Sequence, residues 1–162
     1  MKRIGSELID ELVLLASSSA RKRAHHNLHG TLDDPIQRLC VGIEPGSYIR
    51  PHRHSSPGKW ELMLALKGSA CVVTFDGEGR ISGRFTICAE GPDHALEIEE
   101  GCWHTIASLS EGTVLFELKK GPYAPLQQNE TASWSPAEGG ADIEPLVKWF
   151  TVGAIGSFPP VR

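Results

Sequence analysis

Apolar and polar positions change period twice along the chain. From Ser6 to about Ser17 the residues Leu8, Ile9, Leu12, Val13 and Leu15 form one apolar stripe at helical spacing, with Ser6 placed to cap it. Further on the pattern shortens to brief runs rich in Val, Ile and Phe, broken by Gly, Pro and Asp. This predicts strands at 36–43, 47–54, 60–66, 69–76, 81–88, 94–99, 103–109 and 112–118. Ahead of them His25, Asn27 and His29 alternate as on a polar N-terminal edge strand, and Asp76-Gly77-Glu78-Gly79 reads as a hairpin turn. Helical spacing returns at 141–150, where Ile143, Leu146, Val147 and Phe150 share a face and Pro145 falls in the tolerated first turns.

Eight or so short strands with regular turns point to a sandwich or barrel. The expected organisation is one domain: a helix within 1–20, a barrel over 21–120 and a C-terminal arm over 121–162. Within that arm, 121–140 and 151–162 are rich in Pro, Gly and Ser and read as extended segments packed over the barrel. The segment 60–66 is apolar on both faces, so its outer face needs a cover, either the N-terminal helix or a second subunit. A homodimer is the expected state.

Composition narrows the partners. The 162 residues carry a net charge of −4, which argues against nucleic acid, because phosphate-binding domains present a basic surface. No stretch approaches the ~20 apolar residues needed to span a bilayer. The leading apolar run, Leu12 to Ala16, is too short for a signal-peptide core, so a cytoplasmic location is expected. Cys40, Cys71, Cys88 and Cys102 stand singly without a CxxC pair, and three lie in strand-like runs as small buried hydrophobes; this suits a reducing compartment.

The chemistry concentrates in Gly46-Ser-Tyr-Ile-Arg-Pro-His52-Arg-His54, followed by Glu61 and Gly68. Side chains two apart on a strand share a face, so His52 and His54 can converge on one ion. Glu61 opens the next strand, and a hairpin would return it beside them. Further on, Glu99-Glu-Gly101-Cys-Trp-His104 places a third histidine behind a glycine turn. Three imidazoles and a carboxylate suit one divalent ion, Zn, Fe, Mn, Ni or Cu. Glu61 is either a fourth ligand or an acid that orients a histidine. The same parity puts Tyr48 and Arg50 on the ligand face, provided Pro51 introduces no bulge. Tyr48 would then be the proton-transfer group and Arg50 the anchor of an anionic or hydroxylated substrate. Lys59 is expected to face solvent, and the face taken by Glu117 stays open.

These residues resemble the cupin superfamily. Its first motif, G-x5-H-x-H-x3-4-E-x6-G, is met by Gly46, His52, His54, Glu61 and Gly68, except that six residues separate His54 from Glu61. Its second motif is met at Gly101 and His104, with Glu99 in place of the proline and Ser108 in place of the asparagine. The resemblance implies a mainly β fold, a jelly-roll barrel (double-stranded β-helix). The run from Arg21 to Arg38, Pro-His-Arg-His at 51–54, Lys-Trp-Glu-Leu at 59–62, Phe-Glu-Leu-Lys-Lys-Gly-Pro-Tyr at 116–123 and Trp134-Ser-Pro-Ala-Glu-Gly139 are similar to the WbuC family of bacterial cupin-fold metalloproteins. That likeness implies a sugar or nucleotide-sugar substrate in surface-polysaccharide metabolism. The expected function is a metalloenzyme (isomerase, oxygenase or hydrolase). The alternatives are a non-catalytic small-ligand-binding module and a metal-independent, epimerase-like barrel with a histidine base.

Overall fold

A computed structural model describes residues 1–140 and 143–160. Helix α1 (Ser6–Ser18) leads into strands β1 (Arg23–Asn27), β2 (Ile36–Ile43), β3 (Glu61–Lys67), β4 (Ser69–Phe75) and β5 (Ile81–Cys88). Strands β6 (Ala95–Ile98), β7 (Trp103–Ser108) and β8 (Thr113–Lys120) follow, then a 3-10 turn at Gln128–Glu130 and helix α2 (Ile143–Val152). One sheet runs β1-β2-β8-β3-β6 and the other β5-β4-β7, with antiparallel pairing throughout. Ile43, Met63, Ala65 and Leu115 of the first sheet meet Ala70, Val72, Ile87 and Ile106 of the second in the barrel interior. Burying these aliphatic side chains between two sheets is what holds the barrel closed.

The outer faces are covered by the same chain. On the five-stranded sheet α1 buries Leu12 against Cys40 and Val114, with Leu66 and Phe116 packed beside them, so the cover needed by β3 comes at least in part from the N-terminal helix. The approach is close: a Cβ on Gly42 would lie 2.5 Å from the Leu12 carbonyl oxygen, so only glycine fits β2 there. On the three-stranded sheet α2 buries Leu146, Trp149 and Phe150 against Cys71, Val73, Phe75 and Tyr48. All four thiols are free, and burial raises those of Cys40, Cys71 and Cys102 above the ordinary thiol value. Among the described residues no helix is long and apolar enough to cross a membrane.

Three local expectations change. The N-cap of α1 is Gly5, and Ser6 lies inside the helix without a capping hydrogen bond. The expected strand 47–54 is an irregular crossing segment whose one regular feature is a bridge at His52. Pro51, with no N–H to give and a fixed φ, explains why no ladder continues through it. Of the second expected helix, residues 141–142 lie outside the described residues and the rest forms α2.

Candidate metal centre

The crossing segment is pinned on both sides. His52 and His104 exchange both backbone bonds, His52 N to His104 O at 3.0 Å and His104 N to His52 O at 2.8 Å. On the other side Ala132 N–H donates to Pro51 O and Arg53 N–H donates to Glu130 O, each at 2.9 Å. Gly101, at φ +74, turns the chain into β7 and donates its N–H to His54 O, so that His104 arrives opposite His52. The two imidazoles lie 4.5 Å apart between centroids, and His54 lies 5.1 Å from His52.

Glu61 opens β3, flanked by Ile98 of β6 and Lys119 of β8. Its carboxylate, 3% exposed, sits 3.1 Å from His54 Nε2 and 3.3 Å from His104 Nε2. The six-residue spacer therefore does not carry Glu61 away from the histidines. Its extra length is taken up by the turn at 56–58, with Gly58 at φ +72. One ligand atom from each of His52, His54, Glu61 and His104 lies within 4.8 Å of the others.

Hydrogen bonding sets the tautomers. His52 Nδ1 donates to Arg50 O at 3.0 Å and His104 Nδ1 donates to Cys102 O at 2.9 Å, so that in the neutral ring the lone pair is on Nε2. His104 Nε2 is buried and, although 3.3 Å from Glu61, is not aligned for a hydrogen bond and has no partner. Burial and the neighbouring His104 hold the His52 imidazole down at about 3, so it is neutral. Against its burial, Lys119 and the imidazoles of His104 and His54 hold the Glu61 carboxyl well below the usual range. Neutral imidazoles and an ionised acid are the forms that bind a divalent ion, and the donor set fits one.

The structure does not bring Tyr48 or Arg50 to this cluster. Tyr48, 4% exposed, stacks on Phe150 and donates its hydroxyl to Pro136 O at 2.8 Å. Arg50 donates to Ala132 O at 2.6 Å. It is Ile49 that shares the interior cavity with His52, so strand alternation breaks between Ile49 and His52, at the proline. Arg38, on β2, pairs with Asp34 at 3.2 Å.

Two other residues take their place. Glu117 and Lys119 alternate along β8 onto the inner face; Lys119 is ion-paired with Glu117 and lies 3.8 Å from Glu61. Burial, then the Glu61 charge, push the Glu117 carboxyl up to about 8. Against its burial, Glu61 and Glu117 raise Lys119 above the ordinary lysine range. The signal available in the sequence was Phe116-Glu-Leu-Lys, a charged pair two apart beside apolar neighbours; which face it took depended on register. An interior cavity of about 180 Å³ contains His52, Glu61, His104, Glu117 and Lys119 above the apolar floor. A mouth of about 170 Å³ opens beside it, lined by His52, His54, Lys59, Trp60, Lys119, Lys120 and Tyr123.

Residues 4–87 match the family described as Domain of unknown function (DUF6016). No curated protein matches the chain in sequence. Among similar solved structures, oxalate oxidase in complex with the substrate analogue glycolate is 16% identical with a TM-score of 0.51, over 66% of this chain and 55% of that one. KdgF from Halomonas sp. is 17% identical with a TM-score of 0.48, over 63% of this chain and 82% of its own. A cupin superfamily protein from Desulfitobacterium hafniense is 16% identical with a TM-score of 0.49, over 65% and 86%. The fold is the cupin jelly roll, as the motifs implied; this chain spans only about half of the oxalate oxidase chain.

Proposed function

The chain belongs to the DUF6016 family, whose description assigns no activity, and from its site we propose that it is a metal-dependent cupin acting on a small polar substrate. The carrying observation is the orphaned His104 Nε2, buried among three other donor atoms and left without a hydrogen-bond partner. A buried polar nitrogen without a partner costs about 1–3 kcal/mol, which coordination would remove. His52, His54, Glu61 and His104 would hold the ion, and when bound it would supply Lewis-acid chemistry to a substrate oxygen. Glu61 brings one negative charge to the site and orients His54. Lys119 balances Glu61 and Glu117, so the pair beside the cluster can hold or release a proton without exposing an isolated charge. The interior cavity is small and has an apolar base that includes Ile43, Met63, Ile106 and Leu115.

The likeness to the WbuC family favours a sugar or nucleotide-sugar derivative as substrate. Isomerisation, oxygenation and hydrolysis are all compatible with three imidazoles and one carboxylate. One geometric feature favours a second reading, a metal-independent base: the His54–Glu61 pair at 3.1 Å is a histidine with its own carboxylate. Elemental analysis of protein purified without added metal separates the two. The expected result is one ion per chain, lost in His52→Ala and in His104→Ala. Wild-type protein free of metal, with turnover of sugar nucleotides undiminished by chelator, would leave the His54–Glu61 base standing alone.

A further inference from the structure

In a chain of net charge −4, the mouth beside the cluster is lined, among the described residues, by three lysines, Lys59, Lys119 and Lys120, and by no carboxylate. Lys119 is taken up by Glu61 and Glu117. Lys59 and Lys120 are not: Lys59 Nζ donates to Pro122 O at 3.1 Å and Lys120 Nζ donates to Pro57 O at 3.0 Å. These reciprocal bonds tie the 55–60 loop to the segment after β8 and fix both ammonium groups at the rim. Carbonyl oxygens give hydrogen bonds but no neutralising charge, and among the described residues neither lysine has a carboxylate partner. An ion at the cluster would add to this excess. With both Glu61 and Glu117 ionised, Lys119 and a divalent ion still leave the interior net positive.

The geometry points to the mouth as the docking site of a small organic anion, whose carboxylate or phosphate is held by Lys59 and Lys120 while its other end reaches His52 and His54. The shape agrees with the charge. At about 170 Å³ the mouth falls below the roughly 300–1,000 Å³ of pockets that bury drug-sized ligands, which suits a small molecule. Trp60 and Tyr123 offer flat walls to its skeleton. Lysine holds carboxylate or phosphate as a point charge, without a geometric preference between them. The placement of the ligand's far end rests on the metal-binding reading above; the anion preference of the rim does not.

Titration calorimetry with glycerate, glycerol 3-phosphate and glycerol tests this on zinc-supplemented protein and on chelator-treated protein. At least one of the two anions binds, the stronger one naming the head group, its affinity falls with added sodium chloride, and glycerol binds at least about tenfold more weakly. The double variant Lys59→Gln/Lys120→Gln keeps amide donors for Pro122 O and Pro57 O but removes both charges. It lowers anion affinity about tenfold or more while leaving zinc content and melting temperature near wild type. The single variant Lys120→Glu, at an exposed position, lowers it further and covers the case of a misfolded double variant. Glycerol binding as tightly as the anions, neither anion binding, or undiminished anion affinity in both variants would overturn the proposal. Should the wild-type protein hold no zinc, the metal reading fails by itself, and the same titrations on metal-free protein still decide the role of the lysines.

Discussion

His52 and His104 each give the Nδ1 proton to a carbonyl two residues back, Arg50 O and Cys102 O, so the ring orientation is written into the local backbone. The identity of these histidines was legible from the H-x-H and Gly-x-x-His spacings, because both depend on local geometry. The positions of Tyr48 and Arg50 were not, because parity carries a face assignment only through regular strand. Ile49 turns inward three residues before His52, and the odd spacing is absorbed around Pro51. Tyr48 is thereby held away from the cluster, with a part-buried hydrogen bond to Pro136 O. Tyr48→Phe keeps the stack on Phe150 and removes that bond, so stability in urea falls by about 1 kcal/mol and metal content per chain stays unchanged. Loss of metal in Tyr48→Phe would return the tyrosine to the site.

At the scale of elements, the strands were legible from β2 to β8 because each carries an apolar run bounded by turn residues. The segment 121–140 reads from its composition as an extended arm, and its role depends on contacts that composition does not encode. Ala132 and Ser135 are buried, and Glu130 fastens the segment to the loop behind His54. Glu130 accepts from Ser55 N–H at 2.9 Å, Ser55 Oγ–H at 2.7 Å and Gln127 N–H at 3.0 Å. The backbone N–H of Gln127, then those of Ser55 and its hydroxyl, hold the Glu130 carboxyl at about 2, below the ordinary 4.5. A depressed carboxyl stabilises the fold at pH above its unfolded value and loses that contribution as pH falls toward the folded one. Glu130→Ala therefore costs roughly 2 kcal/mol at pH 6, and the gap to wild type closes between about pH 4.5 and pH 2. Urea unfolding of both proteins at pH 6 and pH 3 checks this; a gap that is the same at both would show that packing, not the charge, is what Glu130 supplies.

For the whole molecule, the cluster joins parts that are far apart in sequence. His52 and His54 come from the crossing segment, Glu61 from the five-stranded sheet and His104 from the three-stranded sheet. This convergence was only partly legible: the sequence named the four residues, while the register of β3 against β8, which sets Lys119 opposite Glu61, emerged only on folding. An ion held by donors from both sheets binds the folded chain and not the unfolded one, so its affinity adds directly to stability. At a free concentration 100 times the dissociation constant the gain is about 2.7 kcal/mol. For a chain of 162 residues that raises the melting temperature by about 5–10 °C. Wild-type protein stripped with chelator and reloaded with zinc shows this rise by calorimetry, and His104→Ala does not. The variant starts from a lower melting temperature than the stripped wild type, because it loses a buried imidazole and the Nδ1 bond to Cys102 O, so the readout is the missing zinc-dependent rise. A rise of equal size in His104→Ala would place the ion elsewhere on the protein, and the two sheets would then be joined at this end by hydrogen bonds and ion pairs alone.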